Sequence, residues 1–381
     1  MKVQNRWYTA GAVVAAVALT AGCNGAPEGG EDEAIAAAAA GTAEAPSFEV
    51  DLDWPQPLPN NWLMSSVLGL YVDAEDHVWV SHRPELLPEE ELGAAQDPPT
   101  ADCCVPAPVV MRFNGAGEVV HSWAHYEEAD QWPGVLHGFF VDDDANLWIS
   151  ARDQHQLKKF SPDGEVLLTI GIQDETGGSD DTERLGRPSD MVVAPGTNEL
   201  FVVDGYVNRR VIVFDAETGA YLRHWGAYGE AADDDYEFGP RGDGDPPARQ
   251  FSTVHGITAA DDGFIYVADR NNSRIQVFEH DGTFVQERVL RSGTGAAFDV
   301  ALSHDAEQSF LYVADGEEHQ IWVLRRSDLE VLDRFGSEGT EPGQFGRPHN
   351  LEVDSQGNLY VAEAAPGARV QRFHFLGLVT R

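Results

Sequence analysis

Six times between residues 67 and 375 the chain repeats one pattern: an opening apolar strand, a turn built on Asp, Gly or Asn, then a strand with an aromatic centre flanked by aliphatics. The six centres are Val78-Trp79-Val80, Leu147-Trp148-Ile149, Leu200-Phe201-Val202, Ile265-Tyr266-Val267, Leu311-Tyr312-Val313 and Leu359-Tyr360-Val361. A third strand follows each, at 109–113, 156–160, 210–214, 274–278, 320–324 and 369–373. Several units continue into a fourth strand through turns such as Asp163-Gly164 and Asp281-Gly282, a hairpin signal. Such a period constrains the fold because one copy cannot bury its apolar face alone. Six units of four short strands, with no helical period between them, predict an all-β, six-bladed β-propeller. The segment before Val67, with Phe48-Glu49-Val50, is expected to supply the strand that closes the ring.

The charge balance excludes one class of partner. The chain has 64 acidic and 25 basic residues, a formal charge of −39, and only three lysines. Nucleic acid binding needs clustered cations to displace counterions, so it is ruled out, as is polybasic membrane attachment. The surface is expected to be acidic and the protein a monomer.

At the N-terminus, Lys2 and Arg6 precede an apolar run from Ala10 to Leu19, the pattern of a signal peptide over residues 1–22. The segment Leu19-Thr20-Ala21-Gly22-Cys23 resembles a bacterial lipobox, which implies acylation of Cys23. The protein is then exported and held to the cell envelope, periplasmic or outward-facing, through this lipid alone. Residues 23–46, rich in Gly, Ala, Glu and Pro, read as a flexible tether, and 47–381 as the propeller. Cys103 and Cys104 would be the remaining thiols, either joined as a vicinal disulfide or reduced beside a metal.

Aligning the starts of the six first strands brings one position into register: Leu68, His137, Ser189, His255, Phe298, His349. The histidines occupy units two, four and six, 120° apart in a six-fold ring whose innermost strands line the axis. Their side chains can converge on one axial point, as a three-ligand metal site with an open position requires. Imidazoles suit zinc better than calcium or magnesium. Asp190 and Asp299, which follow the shared position, read as turn-fixing residues. The ends of the second strands lie on the same face, and bring Arg83 and Tyr206 there together with long insertions at 84–107 and 227–250.

The run Asp269-Arg270-Asn271-Asn272-Ser273-Arg274-Ile275-Gln276-Val277-Phe278 resembles the NHL repeat. His137-Gly138, Val254-His255-Gly256, Pro348-His349, His82-Arg83 and Asp204-Gly205-Tyr206 are similar to signatures of the peptidyl-α-hydroxyglycine α-amidating lyases. That resemblance implies a zinc on His137, His255 and His349, with Tyr206 as general base and Arg83 as partner of the substrate carboxylate. It also implies a structural calcium on the carbonyls of Leu70 and Phe139 and on residue 350, where Asn350 stands for the family's Asp. Arg347 and Val207 replace a Met and a Cys of the family. The implied reaction cleaves a carbinolamide, on a small hydroxylated amide or peptide, to an amide and glyoxylate. The alternative is a propeller without enzymatic activity whose rim binds a peptide, glycan or envelope protein. A calcium lactonase is set aside, because it needs carboxylates where this axis offers histidines.

Overall fold

The computed structural model describes residues 44–123, 132–239, 245–291 and 295–381. All of them belong to one compact unit, Thr42–Arg381. Cys23, the signal segment 1–22 and the tether up to residue 43 lie outside the described residues.

Six four-stranded antiparallel sheets form the blades. Blade one runs Val67–Val72, Val78–His82, Val110–Phe113, Val119–Trp123, and blade two Phe139–Val141, Leu147–Ala151, Gln156–Phe160, Val166–Ile170. Blade three is Asp190–Val193, Glu199–Asp204, Arg210–Asp215, Tyr221–Trp225, and blade four Val254–Ala259, Phe264–Asp269, Arg274–Glu279, Phe284–Val289. Blade five is Asp299–Leu302, Phe310–Asp315, Gln320–Arg325, Val331–Phe335. Blade six takes Pro348–Val353, Leu359–Glu363 and Val370–Thr380 from the C-terminus and its outer strand, Glu44–Val50, from the N-terminus. The expected ring closure is therefore present. Its strand begins earlier than the sequence suggested: Glu44, Ala45 and Pro46, assigned to the tether, pair with Thr380, Val379 and Leu378. The C-terminal strand extends beyond its blade, and its unpaired edge recruits these residues despite their linker-like composition.

Local chemistry explains the repeated aromatic. Asp73, Asp142 and Asp354 open the turn after the first strand, and one carboxylate oxygen of each accepts the backbone N–H four residues on. The other oxygen accepts the ring donor of Trp79 (2.8 Å), Trp148 (3.2 Å) or Tyr360 (3.2 Å). The ring is thereby satisfied at its polar end and free to bury the rest. Apolar clusters lie mainly between neighbouring blades; one joins Phe201, Val203 and Val211 of blade three to Val254, Ile257 and Ile265 of blade four.

A second device fixes the turn between strands two and three. Arg210 and Arg274 are fully buried, and each places Nε on the Asp that ends the preceding strand, Asp204 (3.0 Å) and Asp269 (2.8 Å). Arg369 does the same with Glu363 (2.6 Å). These pairs hold the upper rim, where the ends of the second strands stand.

Of the two long insertions, 84–107 folds as three short 3-10 turns, Pro84–Leu86, Glu89–Glu91 and Gly93–Ala95. It then pairs Val105–Pro106 in parallel with Trp62–Leu63. Cys103 and Cys104 lie within it and are disulfide-bonded.

Candidate metal centre

His137, His255 and His349 meet on the axis. Ring centroids are 4.8 Å, 5.0 Å and 4.9 Å apart, nearly an equilateral triangle, and one nitrogen of each lies within 4.8 Å of the others. A backbone irregularity aims two of them. Pairing of the first strand with the second passes from Val254 to Gly256 in blade four and from Pro348 to Asn350 in blade six. His255 and His349 are the extra residues of these bulges and turn inward.

The glycine that follows a histidine has a steric cause. A Cβ on Gly138 would lie 2.4 Å from Asp190 Oδ1, and one on Gly256 would lie 2.4 Å from Asp299 Oδ1. Each carboxylate reaches across to the blade beyond: Asp190 Oδ2 accepts Ile257 N–H (3.2 Å), and Asp299 Oδ2 accepts Leu351 N–H (2.9 Å). Asp190 and Asp299 are thus staples between blades beneath the histidines, at strand starts, and not the turn-fixing residues expected.

Hydrogen bonding settles the tautomers. His137 Nδ1 donates to Ser189 O (2.7 Å), His255 Nδ1 to Phe298 O (2.5 Å), and His349 Nδ1 to Asn350 Oδ1 (2.7 Å). All three Nε2 atoms are left as lone-pair donors. Tyr206 Oη stands 3.0 Å from His137 Nε2 and 3.1 Å from His255 Nε2. One phenolic hydrogen cannot serve both, so the cluster is short of hydrogens and rich in buried lone pairs, the donor chemistry of a cation site. Burial pushes His137 and His255 well below the usual imidazole range, and the neighbouring ring charges push the same way; His349 is lowered to about 4, mainly by burial. Neutral rings are what a metal requires.

Two guanidiniums that sequence reasoning missed border Tyr206. Arg152 lies over its ring at 4.9 Å, and Arg270 Nη1 donates to its hydroxyl at 3.4 Å. Arg270 stacks on Phe298 (4.4 Å), and its buried Nε has no hydrogen-bond partner. Arg83, the expected clamp, directs Nε to Glu85 (2.7 Å). Against the opposing effect of burial, Arg152, then Arg187 and Arg83, hold the Asp153 carboxyl below its usual range. The signal for the other two was legible: Arg83, Arg152 and Arg270 each follow the end of a second strand, one register in blades one, two and four.

His82, beside Arg83, is structural. It accepts Ser65 N–H at Nδ1 (3.2 Å) and donates from Nε2 toward the carbonyls of Ala107 (3.2 Å) and Pro108 (3.1 Å), tying down both ends of the first insertion. Burial lowers it to about 4.

Leu70, Phe139 and Asn350 do come together, lining a cavity of about 930 Å³ on the far side of the histidines. Leu70, Phe139 and Asn350 alone supply no formal charge for the implied calcium, although the carboxylates of Asp190, Asp299 and Glu352 line the same cavity. Asn350 carries no charge; its Oδ1 is engaged by His349 and its Nδ2 donates to Asp299 Oδ2 (3.2 Å).

Residues 251–278 match the NHL repeat family. The chain is 26% identical over 343 residues to peptidyl-glycine alpha-amidating monooxygenase A of Xenopus laevis; the match takes in 84% of this chain and 33% of that protein, so the chain spans about a third of its length. It is 26% identical to peptidyl-alpha-hydroxyglycine alpha-amidating lyase 1 of Drosophila melanogaster, across 62% of this chain and 44% of the fly protein. NHL repeat-containing protein 3 of Mus musculus is 24% identical across 84% of this chain and 82% of its own. The chain is a six-bladed β-propeller that carries a match to the NHL repeat at residues 251–278 and resembles the peptidyl-α-hydroxyglycine α-amidating lyases.

Proposed function

We propose that the protein is a zinc-dependent carbon–nitrogen lyase that cleaves an α-hydroxyglycine amide, R–CO–NH–CH(OH)–COO⁻, to the amide and glyoxylate. The supporting observation is the shared Tyr206 hydroxyl: it faces two Nε2 lone pairs and Arg270 at once.

When bound, zinc supplies Lewis acidity that makes a coordinated hydroxyl a better acid. His137, His255 and His349 would hold it. Tyr206 Oη, acting as the phenolate, would take the proton from the substrate hydroxyl as the C–N bond breaks and that oxygen becomes the aldehyde of glyoxylate, and as the phenol would return it. The bonding pair leaves on the amide nitrogen, which recovers the proton, so atoms and charge balance. Arg270, with a buried Nε in need of an acceptor, is the guanidinium we assign to the substrate carboxylate; Arg83 and Arg152 line its approach.

The test is zinc content of the purified protein together with glyoxylate release from a short α-hydroxyglycine peptide. One equivalent of zinc with turnover supports the reading. Full zinc and no glyoxylate favours the second reading, a propeller without enzymatic activity whose rim binds a peptide, glycan or envelope protein. Export and lipid anchoring at Cys23 are part of the proposal, and membrane retention of an unlipidated Cys23→Ser protein would contradict them.

A further inference from the structure

The three histidines are not held alike. Two donate Nδ1–H to main-chain carbonyls of the next blade, Ser189 O and Phe298 O, acceptors that cannot turn over. His349 instead depends on a side-chain amide, Asn350. An amide can sit either way round. Flipped, it would present N–H to His349 Nδ1, drive the ring's own hydrogen to Nε2, and abolish the lone pair that faces the axis.

Asp299 decides which way the amide sits. As a carboxylate its Oδ2 accepts Leu351 N–H at 2.9 Å and can only accept, so the group of Asn350 facing it, at 3.2 Å, is the NH₂. Oδ1 is then left for His349. Asp299 is itself fixed, because it is buried and its other oxygen lies against Gly256, where no side chain can intrude. The order is blade five carboxylate, blade six amide, blade six imidazole.

We propose that Asp299 is a positioning residue of the metal centre, acting through the orientation of Asn350 to hold His349 in its metal-binding tautomer. The inference rests on the metal reading of the histidines. It makes Asn350 a relay within the protein, between Asp299 and His349.

Zinc affinity, measured by chelator competition on the purified protein, tests it, with the cobalt-substituted absorption spectrum as a second readout. Asp299→Ala should lower affinity about 10- to 100-fold, the usual effect of removing an outer partner of a metal-bound histidine. Asn350→Ala should do the same, and the double Ala variant should be no worse than the worse single one, because the two act in series. The decisive variant is Asp299→Ala/Asn350→Asp. A carboxylate accepts whichever way it turns, so wild-type affinity and the wild-type cobalt spectrum should return. Failure of that rescue, or additive losses, would overturn the proposal and leave Asp299 as a staple only. Should Asp299→Ala fail to fold, unchanged affinity in Asn350→Ala would overturn it alone. A wild type that binds no zinc would refute the metal reading instead.

Discussion

Arg270 Nη1 and Tyr206 Oη meet at 3.4 Å, joining the rims of adjacent blades over the histidine triangle. Neither residue is long enough to reach the axis from the outer strands. Both do so because they stand just beyond the ends of second strands, where buried pairs Asp204–Arg210 and Asp269–Arg274 fix the chain.

Tyr206→Phe keeps the ring under Arg152 and removes only the oxygen between the two imidazoles. Turnover should fall about 10²- to 10⁴-fold, the usual range for loss of a general base. Zinc content should stay at the wild-type level. Kinetics and metal analysis on the same preparation check both halves, and wild-type turnover in the variant would remove Tyr206 from the chemistry.

Arg270→Lys keeps the charge but loses the fork and the stacking on Phe298. A substrate carboxylate would be held at one point instead of two, so kcat/KM should fall by about 100-fold, the scale of a misplaced substrate. Arg83→Lys should fall less, because Arg83 is already paired with Glu85. Steady-state kinetics of the two variants ranks them, and the reverse order would return the clamp to Arg83.

Much of this was legible before the structure. The repeated aromatic marked the blades, since each copy needs a ring to fill the gap to its neighbour. The histidines showed because function placed the same residue at one register in alternate units. Arg152 and Arg270 share a register with Arg83 but were hidden among ordinary surface-type sequence, Arg-Asp and Arg-Asn, and nothing local tells an inward Arg from a solvated one. Asp190 and Asp299 looked like turn residues because Asp most often is one; only cross-blade distances reveal staples. Glu44 to Pro46 were misassigned because pairing with a distant strand outweighs linker composition.

Metal retention should be unusually resistant to acid. A free imidazole of ordinary pKa, 6.5, begins to lose its lone pair to protons near neutrality, whereas burial lowers His349 to about 4 and pushes His137 and His255 well down in the same direction. Protonation competes with metal only where the ring takes a proton, so zinc bound at pH 7.5 should remain after dialysis at pH 5.5. It should leave as pH falls through about 4. Zinc content across that range is the check, and loss centred near 6.5 would mean that the rings are solvated.

Arg274 is fully buried; it gives Nε to Asp269, Nη1 to Ala248 O (2.8 Å) and the Tyr228 hydroxyl (2.7 Å), and Nη2 to Gln250 O (3.3 Å). Arg274→Met keeps most of the volume but leaves the Asp269 carboxylate buried beside Asn272 without its cation. Removing one partner of a buried pair costs about 3–5 kcal/mol, because the remaining charge is desolvated and uncompensated. Burial already pushes the Asp269 carboxyl up, against the pull of Arg274. Without the cation it should rise further and take up a proton in the folded state. The folded variant then binds more protons than its unfolded chain from the ordinary carboxylate range upward, so stability should fall as pH rises through that window. Denaturant unfolding at pH 5 and pH 8 measures this. The deficit relative to wild type should be smaller at pH 5, and an equal deficit at both would show that lost packing, not stranded charge, is the cause.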